Sequence, residues 1–301
     1  MSDILIFTAT YNEKENINNL INEIFNISKE VDILVIDDNS PDETWKILKK
    51  ISEKNQNFFF IKRDKKLGLN TAHQMAYDYA ISHNYKKLIT MDADGQHRIE
   101  DVNSVFKPIN DEVADIVIGS RFLDKKSEEM PNYRKVGIKI ITKVTNLSIK
   151  EKLTDSQSGF RAYSKKALQK VIPSDVGMGV STEILIKASN LELKVTEVPI
   201  KVHYDVDTST HNPVSHGTSV ILSTIKFTSI HNPLKFYGIP GIIFLIIGLG
   251  FIAWTIQIYV TSQQIITNVS LIGIGCIVLG AVLLMTAVIL FSIVTVVSEK
   301  K

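Results

Sequence analysis

Two aspartates stand two residues apart in Asp92-Ala93-Asp94-Gly95-Gln96-His97, directly after the apolar run Leu88–Met91. Carboxylates leaving a strand can turn toward one point where the chain bends, and Gly95 supplies a bend. Hard oxygen donors of this kind, with an amide oxygen from Gln96, suit Mg²⁺ or Mn²⁺ holding a diphosphate. The same residues would also make an ordinary solvated turn. Their position in the chain therefore matters more than their identity.

Apolar runs ending in acidic or small residues recur at Ile4–Thr8, Ile33–Ile36, Phe58–Ile61, Leu88–Met91 and Ile116–Gly119. Helical patterns lie between them: Ile17, Leu20, Ile21 and Ile24 share one face, and so do Ala72, Met75, Ala76 and Tyr79. Asn12 with Glu15 resembles a capping pair. Ser40-Pro41-Asp42-Glu43 reads as a helix start, with proline at the first helical position and glutamate at the third. Alternating strands and helices predict an α/β fold, a mostly parallel sheet with helices on both faces.

Ligands of such sheets sit beyond the carboxyl ends of the strands. The residues there are Tyr11-Asn12-Glu13, Asp37-Asp38, the loop Arg63 through Gly68, and Asp92 to Asp94. That much acid favours a cation or a sugar hydroxyl over a bare phosphate. No G-x-G-x-x-G follows the first strand and no G-x-x-x-x-G-K occurs, which argues against a dinucleotide dehydrogenase and a P-loop ATPase.

From Phe236 through Ser298 the chain carries no Asp, Glu, Lys or Arg. Two apolar runs, about 239–260 and 269–297, flank a polar spacer at 261–268, and each is long enough to cross a hydrocarbon layer of about 30 Å. The alternative, a buried hairpin in a soluble core, would normally keep a charged stripe. Gly273, Gly275, Gly280, Ala281 and Ala287 in the second run suit close helix approach.

The spacer carries no basic residue, whereas Lys235 and Lys300-Lys301 flank the outer ends. The positive-inside rule then puts the N-terminal domain on the cytoplasmic face of the cell membrane. Met1-Ser2-Asp3 leads straight into Ile4–Phe7, too short and too acidic at its start for a signal peptide. The expected organisation is a domain over 1–215, an interfacial linker over 216–237 and two transmembrane helices within 238–298.

Lys135–Leu153 and Val220–Phe236 mix apolar and basic residues as interfacial helices do, although packing against the soluble domain fits them as well. The net charge of +2 averages a charged part with an uncharged one, and no nucleic-acid partner is expected. The single cysteine, Cys276, excludes a disulfide framework and a cysteine-based metal site.

Taken in order, Tyr11-Asn12-Glu13, Asp37 through Asp42, Asp92-Ala93-Asp94 and Gly119-Ser120-Arg121-Phe122 resemble family 2 glycosyltransferases. The likeness is strongest to the dolichyl-phosphate mannose synthase group and its polyprenyl-phosphate glucosyl relatives. Asp155-Ser156-Gln157-Ser158-Gly159-Phe160-Arg161 is similar to that group's D-x-x-S-G-F segment.

The resemblance covers residues 3 to about 200 and implies a GT-A-type (Rossmann-like) domain. It implies inverting transfer of a hexose from a nucleotide diphosphate sugar, with GDP-mannose as the family default, to dolichyl or polyprenyl phosphate in membrane lipid. Tyr11, Glu13, Asp37 and Asp38 match donor positions. Asp92, Asp94 and Gln96 match the metal site, with Asp92 also facing the donor and Asp94 counted as catalytic. Arg121 and Arg134 match basic positions facing the acceptor phosphate and the donor diphosphate.

A phosphate acceptor is already deprotonated near neutral pH and needs no strong general base. Asp155, Ser158 and Glu183 are therefore acceptor-site candidates: Asp155 orients an arginine or the acceptor, or holds structure, and Glu183 caps a helix or shapes the site. Arg63 fits either the site or a solvated loop, and Lys125-Lys126 reads as surface charge. His97 reads as a surface helix start, and His203, His211, His216 and His231 lack zinc spacing. Asn70 stands where the group often has a second glycine.

The other donors considered are UDP-glucose and UDP-N-acetylglucosamine. A family 2 transferase acting on a glycan hydroxyl would need a base, and the Q-x-x-R-W segment of processive synthases is absent. The non-enzyme reading is a membrane scaffold or lipid-translocation protein.

Overall fold

The computed structural model describes residues 2–27, 30–124, 130–173, 180–202 and, with short interruptions, 222–299. Lys125-Lys126, Gly179, His203, His211, His216, His231 and parts of 220–231 lie outside the described residues. The chain divides into two compact units, Met1–Thr224 and Ile225–Lys301.

The first unit is a seven-stranded mixed sheet in the order β3-β2-β1-β4-β6-β5-β7. Its strands are β1 (Ile4–Thr10), β2 (Val31–Asp37), β3 (Phe58–Lys62), β4 (Lys87–Thr90), β5 (Ile116–Ser120), β6 (Arg161–Ser164) and β7 (Val195–Pro199). Its helices are α1 (Ile17–Ile27), α2 (Thr44–Ser52), α3 (Leu69–Ser82), α4 (Asp101–Asn110), α5 (Asn132–Asn146), α6 (Lys165–Lys170) and α7 (Val180–Asn190).

Every strand pairing is parallel except those of β6, which runs opposite to both neighbours, β4 and β5. One edge of the sheet therefore gathers the carboxyl ends of six strands and the amino end of β6. Thr90 and Ile118 both pair with Arg161 at that edge.

Apolar side chains alternate between the two sheet faces, as the period of two requires. Ile6, Ile33, Val35, Ile89 and Val117 pack under α1, α2 and α4, whereas Leu5, Phe7, Leu34, Leu88 and Tyr163 pack under α3, α6 and α7. Along α3 the buried residues Ala72, Ala76 and Ala80 recur every four positions, and their small side chains let the helix lie close on the sheet.

Two expected helix starts are displaced. The Ser40 hydroxyl donates to Asp37 and accepts from the Asn12 N–H, so Ser40 caps nothing. Glu43 sits in the left-handed region at φ 66°, and α2 begins after it, at Thr44. Asn12 is left-handed too, at φ 64°, and α1 starts at Ile17.

The helical stretch expected from Lys135 to Leu153 is α5, ending at Asn146. Its apolar residues divide between two sides. Ile138, Ile141, Ile149 and Leu153 are buried, whereas Tyr133, Val136, Ile140 and Leu147 are exposed. The buried set packs in the domain and does not form a lipid-facing side.

The second unit contains two long helices, α8 (Ile239–Ser262) and α9 (Thr267–Glu299), entered through a π-helical turn at Leu234–Gly238. Both are long and apolar enough to cross a membrane, with mean hydropathies of 2.3 and 2.9 over an 18-residue stretch of each. Their large side chains, including Ile246, Val260, Leu271 and Met285, are mostly exposed, which is how a lipid-facing surface differs from a soluble core.

The helices meet through glycines. A Cβ on Gly280 would lie 2.8 Å from the Gly241 carbonyl oxygen, and one on Gly248 would lie 2.9 Å from that of Gly273. Gly275 has no heavy atom within 4 Å of such a position and takes no part in this contact.

Candidate active site

The loops beyond β1 and β2 are stitched together. The N–H groups of Asn12, Glu13 and Lys14 donate to Ser40 Oγ at 3.0 Å, Thr44 Oγ1 at 3.1 Å and Asp42 Oδ2 at 3.1 Å. This fixes Tyr11 and Glu13, both partly exposed, at the sheet edge. Lys66 from the loop after β3 places its ammonium 3.5 Å from the centre of the Tyr11 ring, a cation–π contact.

Asp37 and Asp38 are buried and committed to protein partners. Asp37 accepts from Thr10 Oγ1 and the Ser40 N–H, each at 3.0 Å. Asp38 accepts from the N–H groups of Leu67 and Gly68 at 2.7 Å and pairs with Arg63 Nε at 3.1 Å. The charged loop is thus anchored: Arg63 is only 5% exposed, not solvated. Gly68, at φ 89°, makes the turn into α3, and Asn70 already lies in that helix, where no glycine is required.

Asp92 and Asp94 leave β4 at the centre of the edge. Gly95 turns at φ 72°, and the Gln96 N–H donates back to Asp94 Oδ1 at 3.0 Å. His97 is not on the surface. It is 9% exposed, rests 5.0 Å from the Phe160 ring centre and holds Asp92 Oδ2 with Nε2 at 3.2 Å.

Burial pushes the Asp94 carboxyl above its ordinary range, and the neighbouring Asp92 charge adds to this. Burial does the same to Glu13, with the charges of Asp94, Asp42 and Asp92 adding to it. Burial opposes ionisation of Asp92 as well, but the His97 hydrogen bond and nearby positive charge, including Arg121, bring its carboxyl below the ordinary range. These carboxylates repel one another, and a cation between them would relieve that repulsion.

Arg121 follows β5 and is clamped by Asp155. Its Nε donates to Asp155 Oδ2 at 2.6 Å and one Nη to Oδ1 at 2.8 Å, while its N–H reaches Oδ2 at 3.3 Å. Arg134, in the first turn of α5, is exposed, and its charge acts on Asp94.

The three acceptor-site candidates are out of reach of solvent: Asp155 and Glu183 are 0% exposed and Ser158 is 1%. Glu183 pairs with Lys187 at 2.6 Å along α7. Any influence of these residues on a ligand passes through the groups in front of them, as that of Asp155 does through Arg121.

Asp92, Asp94 and Gln96 together offer the hard oxygen donors that Mg²⁺ or Mn²⁺ takes. Among the described residues no group of three His, Cys, Asp or Glu could hold a metal ion by itself. A site with so few protein carboxylates is the open kind that leaves positions for a ligand's phosphates. His97 was expected at the surface, and Gly159 and Glu197 carry no local signal of a role, because what each one touches is set by the fold.

Acidic strand ends and a clamped arginine at one edge of a helix-covered, mostly parallel sheet make an α/β domain with a site suited to anionic ligands. The chain belongs to glycosyl transferase family 2, whose family model matches residues 5–172, and it is a glycosyltransferase.

A UDP-N-acetylglucosamine–dolichyl-phosphate N-acetylglucosaminyltransferase of Methanococcus voltae is 33% identical, over 74% of this chain and 93% of that one. A polyprenol monophosphomannose synthase of Mycolicibacterium smegmatis is 30% identical, over 65% and 76%. The fold is shared with glucosyl-3-phosphoglycerate synthase of Mycobacterium tuberculosis, solved with Mn²⁺, UDP and phosphoglyceric acid. That likeness has a TM-score of 0.55 at 14% identity and covers 75% of this chain and 78% of that one.

Proposed function

We propose that this enzyme transfers a hexose, with inversion, from a nucleotide diphosphate sugar to a polyprenyl phosphate such as dolichyl phosphate, with GDP-mannose as the first donor to test. The observation that carries the reading is that Asp92, Asp94 and Arg121 gather at one sheet edge, with Arg121 clamped by Asp155 and its charge acting on Asp92. Two anionic substrates must be neutralised there, one by a cation and one by guanidinium. The lipid-phosphate acceptors named in the two relatives support it.

In this reading Asp92, Asp94 and Gln96 hold Mg²⁺ or Mn²⁺, as the Mn²⁺-bound structural neighbour supports. When bound, the cation acts as a Lewis acid on the leaving diphosphate. His97 fixes the rotamer of Asp92. Tyr11 and Glu13 flank the donor, while Asp37 and Asp38 hold the loops that shape its pocket. Arg121 and Arg134 receive the acceptor phosphate and the donor diphosphate, with the guanidinium plane of Arg121 preset by Asp155. Most of the barrier reduction then comes from fixed position and preset charge.

The helices α8 and α9 cross the membrane as the anchor of a domain on its cytoplasmic face, within the 1–215, 216–237 and 238–298 division. The exposed stripe Tyr133, Val136, Ile140 and Leu147 on and just after α5, with Lys135, Lys139 and Lys143 beside it, meets the headgroup layer. The second reading keeps the acceptor and changes the donor to UDP-N-acetylglucosamine, favoured by the relative of 33% identity.

The test mixes full-length enzyme, labelled GDP-mannose, UDP-glucose or UDP-N-acetylglucosamine, polyprenyl phosphate and Mg²⁺ or Mn²⁺. A butanol-extractable lipid sugar, labile to mild acid, is expected with one donor. Its absence with all three donors overturns the proposal.

A further inference from the structure

Arg161 is among the most buried side chains of the first unit, 2% exposed, and none of its hydrogen bonds among the described residues goes to a carboxylate. Its donors go to main-chain carbonyls: Nε to Ser158 at 2.8 Å, one Nη to Ser156 at 2.8 Å and the other to Ser181 at 3.3 Å. A buried guanidinium spent on carbonyls holds backbone, and charge-assisted bonds of this kind are strong.

The segment it holds begins under a second charged grip. The Glu197 carboxylate accepts from the N–H groups of Thr154 and Asp155, each at 2.8 Å, and from Thr154 Oγ1 at 2.9 Å. Between these grips lie two contacts with the site. Asp155 clamps Arg121. Gly159, its carbonyl fixed by Thr90 Oγ1 at 2.8 Å, lies against Asp92.

A Cβ at Gly159 would stand 2.9 Å from Asp92 Oδ1 and 3.1 Å from Oδ2. Its φ lies outside the left-handed region, so the backbone itself does not require glycine. What requires it is room for the carboxylate. With His97 on Oδ2, Asp92 is held from two sides.

We propose that residues 155–161 are a positioning element that sets Asp92 and Arg121 relative to each other, pinned by Arg161 and Glu197, with Gly159 as the seat of the Asp92 carboxylate. The inference rests on the reading of Asp92 as a cation ligand and Arg121 as a phosphate contact. Neither Gly159 nor Arg161 need touch a substrate.

Full-length Gly159→Ala tests the seat, with Gly137→Ala as a control, since no heavy atom lies within 4 Å of a Cβ there. Mn²⁺ binding is read from the paramagnetic resonance of free Mn²⁺. We expect Gly159→Ala to keep its thermal midpoint, bind Mn²⁺ about tenfold more weakly and regain most of its lost transfer rate at high Mn²⁺, because a displaced ligand weakens binding without unfolding the domain. Wild-type Mn²⁺ affinity in a folded Gly159→Ala protein overturns the seat.

Arg161→Met and Arg161→Lys test the pin by amide hydrogen exchange over 155–160 and by kinetics. Faster exchange in that segment and a kcat loss of about 10²-fold in Arg161→Met, partly rescued in Arg161→Lys, support it. Unchanged exchange and kcat overturn it. If Arg161→Met does not fold, Arg161→Lys and Glu197→Gln carry the same two readouts, and wild-type values in both overturn the pin. If the wild-type enzyme transfers no sugar, the proposed reaction fails, while Mn²⁺ affinity and exchange still judge the positioning element.

Discussion

Asp155 and Arg121 meet side by side through two hydrogen bonds of 2.6 and 2.8 Å, with the carboxylate fully buried and the guanidinium 14% exposed. The pair is oriented outward: only the arginine can meet a ligand. It also joins segments 34 residues apart, so the loop after β5 depends on the one that enters β6.

Asp155→Ala removes the inner half of this pair and releases the partly exposed Arg121 from the carboxylate that holds it. The expected loss is about 1.5–3 kcal/mol of stability, the range for losing charge-assisted hydrogen bonds when the remaining guanidinium can still reach solvent. Turnover is expected to fall about 10²-fold because the guanidinium is no longer held. Thermal unfolding and kcat measured on one preparation check both. A variant with wild-type values would show that the clamp does not position Arg121.

The same pair sets an acid limit. Burial raises the Asp155 pKa, but the Arg121 charge and its hydrogen bonds lower it further, so the folded value lies below the ordinary carboxylate range. The stabilisation is therefore complete above the unfolded value of about 3.9 and is lost as pH falls through the lower folded value. The thermal midpoint of the wild type is expected to drop below about pH 4 more steeply than that of Asp155→Asn, in a titration from pH 7 to pH 2.

Asp92→Asn and Asp94→Asn each remove one negative charge from a crowded acidic site. Both proteins are expected to fold, and Asp94→Asn is expected to gain slightly in stability because its carboxyl is destabilised by Asp92 and by burial. Transfer is expected to fall by about 10²-fold or more, and chelation of divalent ions is expected to silence the wild type. Unchanged turnover in either variant removes it from the cation site.

Val136→Glu with Ile140→Glu places two charges in the exposed stripe of α5. Vesicle binding and turnover on long-chain polyprenyl phosphate are expected to drop roughly fivefold, with nucleotide binding unchanged. Equal loss on a short, water-soluble acceptor would show that the stripe serves the fold instead.

Deleting residues 238–301 removes both apolar helices and none of the site residues, which all precede Phe236. Cation and nucleotide binding are expected to survive in the truncated protein, with activity reduced on long-chain lipid. Full activity on native-length lipid would make the hairpin dispensable for substrate delivery.

The periodic features were legible from the chain. Alternating strands and helices, the aspartates closing β4 and the charge-free hairpin follow from local spacing, and the structure holds all three. Local reading failed where a side chain had a distant partner. Ser40 looked like a cap, but Asp37 and Asn12 take its hydroxyl. His97 looked like surface, but Asp92 and Phe160 enclose it. Over 135–153, where an interfacial side and packing on the domain both fitted the pattern, Ile138, Ile141 and Ile149 are buried while Ile140 and Leu147 are exposed.

By itself, the sequence determined which residue types stand at the strand ends and which part of the chain is too apolar for water, because both depend on neighbours a few positions apart. The tertiary structure decided how the D-x-x-S-G-F segment is used. The strand after it, β6, runs against its neighbours and inserts between β4 and β5. Had β6 run parallel, residues 155–160 would lie at the opposite edge of the sheet. Its reversal puts Gly159 beside Asp92 and Asp155 beside Arg121, and strand direction is a choice of long-range pairing that no local period encodes.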